Sequence, residues 1–146
     1  MELKEILQLL PHAFPFLVID RILHIEPGKA ATTLKNVTMN EPFLQGHFPG
    51  QPVMPAAFIL EAMAQTGGIA FHSLSETDEG GLPYLARVER FRLKKRVVPG
   101  DQMVLTAEIE HVFSNLAKVK VSVQVDQEAV AKGVLVLAKG PLIDKG

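Results

Sequence analysis

Hydrophobic and polar residues alternate strictly near the end of the chain. Between residues 116 and 125 every second position, beginning with Ala117, is apolar, and the positions between them are polar or charged. Such alternation is typical of a strand that buries one face and leaves the other in water. Similar patterns predict strands at residues 84–97, 103–112 and 129–137, with a turn at residues 99–101.

The first half of the chain has a different pattern. Residues 2–10 predict a short amphipathic helix, residues 16–25 an extended segment, and residues 30–37 a return strand after the turn at Pro27 and Gly28. Loops rich in glycine, proline or polar residues are predicted at 40–52 and 75–82. Between these loops, residues 55–71 predict one long apolar helix with Pro55 in its first turn.

This helix defines the predicted architecture. At 17 residues it is shorter than a typical membrane-spanning helix, and it carries Glu61 and Gln65 at its centre. The pattern therefore predicts a helix buried in the core of the protein. Gly67 and Gly68 either allow close packing or weaken its last turn. A single apolar helix among antiparallel strands predicts an α+β fold in which a sheet wraps around a central helix. The length of 146 residues favours a single domain, 1–146.

Composition narrows the functional classes. Apolar residues at 47% and charged residues at 21% describe an ordinary globular chain. The absence of cysteine excludes disulfides and thiolate chemistry and fits a cytoplasmic protein. Residues 1–6 are mixed in charge and lack the basic region and apolar run of a signal peptide, so we do not expect secretion. A net charge of −1 gives no nucleic-acid signature. We therefore expect a cytoplasmic protein with no nucleic-acid partner, no membrane insertion and no metal site.

Two ionisable residues stand out because of where they occur. His47 lies in the loop rich in glycine and proline, and Glu61 is the only charged residue between Phe48 and Ser75. Burying a charged group among apolar neighbours costs free energy, so such a residue usually has a charged or polar partner or a catalytic or binding role. Taken alone, His47 also fits a capping or packing role, and Glu61 also fits an interface anchor.

Short motifs carry a resemblance to a known family. They read LPH at 10–12, PFLVIDR at 15–21, KNVT at 35–38, NEPF at 40–43, QGHFPG at 45–50, ILEAMAQ at 59–65 and VVPGDQ at 97–102. In order and spacing they resemble the 3-hydroxyacyl-acyl carrier protein dehydratases of the FabZ type. The resemblance implies a hot-dog fold and dehydration of (3R)-3-hydroxyacyl thioesters to trans-2-enoyl thioesters in fatty-acid biosynthesis or a related acyl pathway.

The resemblance also implies roles for individual residues. His47 matches the base that takes the C2 proton, and Glu61 matches the acid or the group that positions water. The backbone N–H groups of Ala56 and Ala57 match the oxyanion donors at the helix start. Phe14, Pro15, Phe71 and Tyr84 match positions that line or gate the acyl tunnel, although packing explains such residues equally well.

Further implications concern partners. The family needs no cofactor, because the substrate is carried on the phosphopantetheine of acyl carrier protein. Its protomers form homodimers by joining sheets edge to edge, with each active site shared between protomers, and assemble further into hexamers as trimers of dimers. A run of basic residues is either a solvated strand edge or a docking surface for the acidic carrier. It comprises Arg90, Arg92, Lys94, Lys95 and Arg96, of which Arg90, Arg92, Lys94 and Arg96 are predicted to share one strand face.

The chain departs from the family pattern at several positions. Ala56 replaces a usual glycine, Arg96 a usual proline, and Lys132 a usual acidic residue. Ala13, Phe14 and Leu93 are further departures, and the usual tryptophan around residues 114–118 is absent. These changes suggest a divergent paralogue. Two other functions therefore stay open: a hot-dog thioesterase in which Glu61 activates water, and a non-catalytic subunit that binds acyl carrier protein.

Overall fold

The computed structural model describes residues 18–38, 53–72 and 83–139. In chain order they form β1 (Arg21–Glu26), β2 (Ala30–Asn36), α1 (Ala56–His72), β3 (Tyr84–Leu93), β4 (Gln102–Phe113), β5 (Leu116–Val125) and β6 (Glu128–Ala138). The predicted helix at residues 2–10 and the predicted loops at 40–52 and 75–82 lie outside the described residues.

The six strands form one antiparallel sheet in the order β1-β2-β4-β5-β6-β3. Tight turns join neighbouring strands: Gly28 has φ of 77°, and Asp126 and Gln127 between β5 and β6 have φ of 51° and 68°. Two consecutive residues with positive φ form a turn whose twist matches that of the flanking strands. Because β3 lies at the edge opposite β1, the segment from β2 to β3 that contains α1 must cross the sheet.

The helix packs on one face of this sheet. Residues along β5 are alternately buried and exposed, as predicted, with the side chains of Val119, Val121 and Val123 fully buried. On α1, nearly all residues from Ala62 onward are buried, whereas Ala56 and Ala57 are exposed. The sheet therefore has an inner face towards α1 and an outer face towards water. This arrangement is the α+β hot-dog fold that the sequence predicts.

Close helix–sheet packing depends on Gly67. A Cβ atom at this position would lie 2.9 Å from Cδ1 of Leu137 and 3.4 Å from Cγ1 of Val119. A side chain here would have to displace buried groups. One buried polar contact also joins the helix to β2: the Thr66 hydroxyl donates to the carbonyl of Ala62 over 2.9 Å and lies 2.7 Å from the Thr33 hydroxyl. Thr33 is therefore the donor in the contact between the two hydroxyls.

One predicted strand is wrong in its extent. The pattern predicts a strand over residues 84–97, but β3 ends at Leu93. The N–H groups of Lys94 and Lys95 both donate to the carbonyl of Val130, over 2.7 and 3.3 Å, so the chain leaves the ladder there. Two irregularities in the β3–β6 pairing also interrupt the alternation.

Within the described residues, no helix is long and apolar enough to cross a membrane.

Candidate active site

The start of α1 presents backbone donors. The carbonyl of Pro55 accepts hydrogen bonds from the N–H groups of Phe58 and Ile59, over 3.0 and 3.2 Å. Among the described residues, none accepts a hydrogen bond from the N–H of Ala56 or Ala57. N–H groups in the first turn of a helix point along its axis and attract negative charge. The geometry at these two positions is therefore compatible with the predicted oxyanion role.

Glu61 lies on the second turn of α1 and is half-buried. Its Oε1 accepts a hydrogen bond of 3.1 Å from Nε2 of Gln65, one turn later. Gln65 is 1% exposed, and its Oε1 accepts a hydrogen bond of 3.1 Å from the N–H of Val18. Since an amide oxygen cannot donate, the bond from Val18 fixes which end of the Gln65 amide faces Glu61.

Gln65 is therefore a site residue to which the sequence analysis gave no role. Two signals mark it: a polar residue in an apolar helix, and a spacing of four residues from Glu61, which places both side chains on the same helix face. The bond to the N–H of Val18 could not be anticipated, because it joins residues 47 positions apart.

Two of the predicted tunnel residues lie at the other end of α1 and the start of β3. Phe71 is buried, and Nζ of Lys139 lies 4.5 Å from the centre of its ring. Burial of this ammonium group lowers the pKa of Lys139. Tyr84 is half-buried, and its buried hydroxyl has no hydrogen-bond partner within the described part of the chain.

Three predicted site residues cannot be placed. His47, Phe14 and Pro15 lie outside the described residues, so their roles, and the pairing of His47 with Glu61, stay predictions. Among residues 18–38, 53–72 and 83–139, no group of three or more histidine, aspartate or glutamate side chains is arranged to hold a metal ion.

The structure divides the predicted basic run into two parts. Arg90 and Arg92 share the outer face of β3, whereas Lys94, Lys95 and Arg96 follow the end of the strand and do not continue that face. The prediction that Lys94 and Arg96 share the face of Arg90 is wrong, because the chain leaves the ladder after Leu93.

The backbone that follows the second part of this run, Lys94 to Arg96, lies beside the start of α1. Lys95 pairs with Glu128 at the start of β6, and both side chains are exposed. The carbonyl of Val97, directly after Arg96, accepts a hydrogen bond of 2.7 Å from the N–H of Met54. Met54 immediately precedes Pro55, so the backbone after Arg96 lies beside the start of α1.

Comparison with known proteins identifies the family. The model of the FabA-like domain matches residues 10–134, which is most of the chain. This chain belongs to the FabA-like family. Two relatives named 3-hydroxyacyl-acyl carrier protein dehydratase FabZ, from Salmonella arizonae and Salmonella newport, are each 45% identical to it over 140 residues. The alignment covers 95% of this chain and 93% of each relative. The predicted family resemblance is confirmed.

Solved structures agree with the fold of this FabA-like chain. A chain of the dehydratase heterocomplex ApeI:P from Xenorhabdus doucetiae superposes with a TM-score of 0.81, at 15% identity, covering 94% of this chain and 91% of that one. The uncharacterized protein PH1136 from Pyrococcus horikoshii superposes with a TM-score of 0.70, at 16% identity, covering 90% and 91%. At such identities the likeness concerns the fold alone.

Proposed function

We propose that this protein removes water from 3-hydroxyacyl thioesters carried on acyl carrier protein, producing 2-enoyl thioesters in fatty-acid biosynthesis or a related acyl pathway. The observation that carries the proposal is the 45% identity to FabZ dehydratases over 95% of the chain. That alignment leaves little of the chain unmatched, and Glu61 of this chain sits on the central helix beside exposed first-turn N–H groups.

The reaction requires three groups, and the chain offers a candidate for each. A base takes the C2 proton, the C3–O bond breaks, and an acid protonates the departing hydroxyl to give water. We assign the base to His47, because imidazole is available in its neutral form near pH 7. We assign the acid to Glu61, whose position is fixed by Gln65. The C2 proton held by His47 and the proton given up by Glu61 balance over one turnover.

The third group stabilises the negative charge that develops on the thioester oxygen. We assign it to the N–H groups of Ala56 and Ala57, which lie at the positive end of the α1 dipole. The Ala56 methyl group, in place of a usual glycine, narrows the approach to these donors. Phe71 and Tyr84 are assigned, with Phe14 and Pro15, to the acyl tunnel. The buried hydroxyl of Tyr84, which has no hydrogen-bond partner among the described residues, supports its assignment.

We assign the homodimer to the edge strand β3. Among the described strands only β1 and β3 are sheet edges, and β3 is the longer, with ten residues against six. Its Val88 and Leu93 side chains are each 39% exposed, and such exposure on a free strand edge favours pairing with a second copy. Edge-to-edge pairing also agrees with an active site shared between protomers and with further assembly as a trimer of dimers.

The carrier protein is the remaining partner in the proposal. All five residues of the basic run are exposed, and an acidic carrier is attracted to such a surface. The segment with Lys94, Lys95 and Arg96 continues to Val97, which is bonded to Met54 beside the start of α1. A phosphopantetheine arm entering there would bring its thioester to Ala56 and Ala57.

No cofactor of the enzyme itself is needed for this chemistry, and the cytoplasm is the proposed compartment.

Product analysis tests the proposal directly. The purified protein is incubated with a series of 3-hydroxyacyl thioesters of different chain length on acyl carrier protein, and products are identified by mass spectrometry and ultraviolet absorbance. A loss of water with the thioester intact is the expected result. Release of free thiol would instead identify a thioesterase, and tight carrier binding without turnover would identify a non-catalytic subunit.

A further inference from the structure

The outer face of the sheet carries a groove of about 520 Å³ on the side away from α1. Four basic side chains from three strands line it, and we refer to them as the outer basic groove: Arg90, Arg92, Lys120 and Lys132. Ser122 and Glu108 contribute further polar groups to its lining. Only Arg90 and Arg92 belong to the basic run that is evident in the sequence.

The strand register brings the four residues together. Arg92 lies opposite Lys132, and Lys132 lies opposite Ser122 on the next strand. One row further along the sheet, Arg90 and Lys120 lie on either side of Val134. All four charged side chains are exposed, so they belong to the outer face and are separate from the buried packing against α1.

Cations beside the outer basic groove have ion-pair partners. Lys118 and Arg87, on the same face, both pair with Glu89. Within the described part of the chain, no carboxylate lies within ion-pair distance of any residue of the outer basic groove. Like charges directly opposite one another across two strands are destabilising, as Arg92 and Lys132 are here. Such an arrangement leaves positive potential that an anionic partner can neutralise.

We propose that the outer basic groove receives an acidic surface of the carrier protein, and that Lys132 determines which carriers fit. The inference rests on the proposed function, because that function supplies the carrier. The acidic residue that the family resemblance implies for position 132 would lie opposite Arg92 and neutralise it. Lysine at this position reverses the local charge. The groove therefore selects a carrier with an additional carboxylate at the matching point.

Charge also argues against a nucleic acid as the occupant. Glu89 and Glu110, with Arg90, Lys118 and Lys120, line a second depression beside the groove, and Glu108 lies within the groove itself. These carboxylates limit the basic surface to two short rows, too small for a continuous phosphate backbone. The chain as a whole has a net charge of −1. An acidic protein surface with a few fixed carboxylates fits this pattern better.

The test compares two substrates with the same acyl group. One is carried on the acyl carrier protein of the organism that produces this protein, and the other is the N-acetylcysteamine thioester, which has no protein to dock. The measured quantity is the ratio of kcat/KM for the carrier substrate to kcat/KM for the small thioester. We expect Lys132→Glu and Lys120→Glu each to lower this ratio by about tenfold or more at low salt, and the loss to shrink as salt is raised.

Lys29→Glu is the matched control. Lys29 is exposed in the turn between β1 and β2, outside the outer basic groove, and its replacement changes the net charge by the same amount. We expect its ratio to stay within about twofold of the wild-type value. Ratios for Lys132→Glu and Lys120→Glu that match the control would overturn the inference.

A binding measurement separates this inference from the proposed function. If the wild-type protein turns over neither substrate, the dehydratase proposal fails, and docking is then measured by calorimetric titration with the same carrier protein. A dissociation constant raised by about tenfold in Lys132→Glu but not in Lys29→Glu would still support the groove. No carrier binding, equal binding by both variants, or tighter Lys132-dependent binding of a short single-stranded oligonucleotide would overturn it.

Discussion

The side-chain amide of Gln65 donates a hydrogen bond of 3.1 Å to the carboxyl group of Glu61. The same amide accepts a hydrogen bond from the N–H of Val18, so its orientation is fixed from a segment far away in sequence. Because both bonds involve a side chain that is only 1% exposed, rotation of the Gln65 amide would leave buried groups unpaired. Gln65 thus holds the carboxyl group of Glu61, the proposed acid, in place.

Replacing Gln65 by leucine removes both hydrogen bonds and leaves an apolar side chain of similar size in the same place. We expect kcat for dehydration to fall by about 10- to 100-fold, because Glu61 loses its fixed position, with a smaller change in KM. We also expect a loss of about 1–3 kcal/mol in the free energy of unfolding, because the N–H of Val18 loses its acceptor.

Thr66→Val is the control for this prediction. It removes a neighbouring buried hydroxyl that bonds to Thr33 and Ala62 and, within the described residues, forms no hydrogen bond with Glu61. A comparable loss of stability with kcat near the wild-type value is expected. If the two variants lose activity in proportion to stability alone, the positioning role of Gln65 is wrong.

The proposed catalytic residues give a second prediction. Glu61→Gln and His47→Ala should each reduce dehydration by about 10²- to 10⁴-fold, because each removes a proton-transfer group. Size-exclusion chromatography should show the same oligomer as the wild-type protein. If each active site combines residues of two protomers, mixing the two inactive variants under subunit exchange should restore part of the activity. Near-normal rates in either single variant would contradict the assignment.

A third prediction concerns two glycines in different surroundings. A Cβ atom at Gly133 would lie 2.7 Å from the backbone carbonyl oxygen of Arg90, whereas at Gly68 the nearest atom, Cβ of Pro83, would be at an ordinary 3.7 Å. Gly133→Ala should therefore lower the free energy of unfolding by about 1–3 kcal/mol, because the added methyl group would have to push the backbone of Arg90 out of the sheet. Gly68→Ala should leave stability unchanged or raise it by up to about 1 kcal/mol through helix propensity. Urea denaturation measures both, and equal effects would contradict the packing argument.

The fourth prediction concerns pH. Hydrogen bonds from Lys118 and then Arg87 lower the pKa of Glu89 below its ordinary value of 4.5. The folded state therefore binds fewer protons here than the unfolded state, and this contribution to stability is present above pH 4.5 and lost as the pH falls through the lowered pKa. Urea midpoints should fall less on acidification in Glu89→Gln than in the wild-type protein.

Lysine substitutions provide the controls for this pH effect. Lys118→Met removes the main hydrogen-bond donor and should weaken the acid dependence in the same direction as Glu89→Gln. Lys120→Met removes a lysine two residues away on the same face, outside the contacts of Glu89. It should retain the wild-type dependence. Equal behaviour of the two lysine variants would show that general surface charge, and not this ion pair, is responsible.

Local patterns predicted much of the fold because they are set by single elements. The period of two along β5 identified its buried face, and the apolar tract gave α1 to within one residue at each end, 56–72 against the predicted 55–71. The end of β3 was missed because it depends on a distant carbonyl, that of Val130, which captures the N–H groups of Lys94 and Lys95. No feature of the local sequence encodes that contact.

The candidate site shows the same division. The helix start and Glu61 could be located from the sequence, and family resemblance supplied the roles proposed for them. The bond from Val18 to Gln65 and the grouping of Lys120 and Lys132 with Arg92 depend on which strands and segments become neighbours. Such proximity is a property of the sheet order, which one sequence does not state directly.

The alternation of faces along β6 has a consequence for how this protein can evolve. Ala131 and Gly133 are buried against the interior, while Lys132 between them is exposed to water. Mutations at position 132 can therefore change the surface charge without disturbing the side chains that hold α1 against the sheet. After gene duplication, such a fold can acquire a new protein partner in single steps while its inherited interior stays intact.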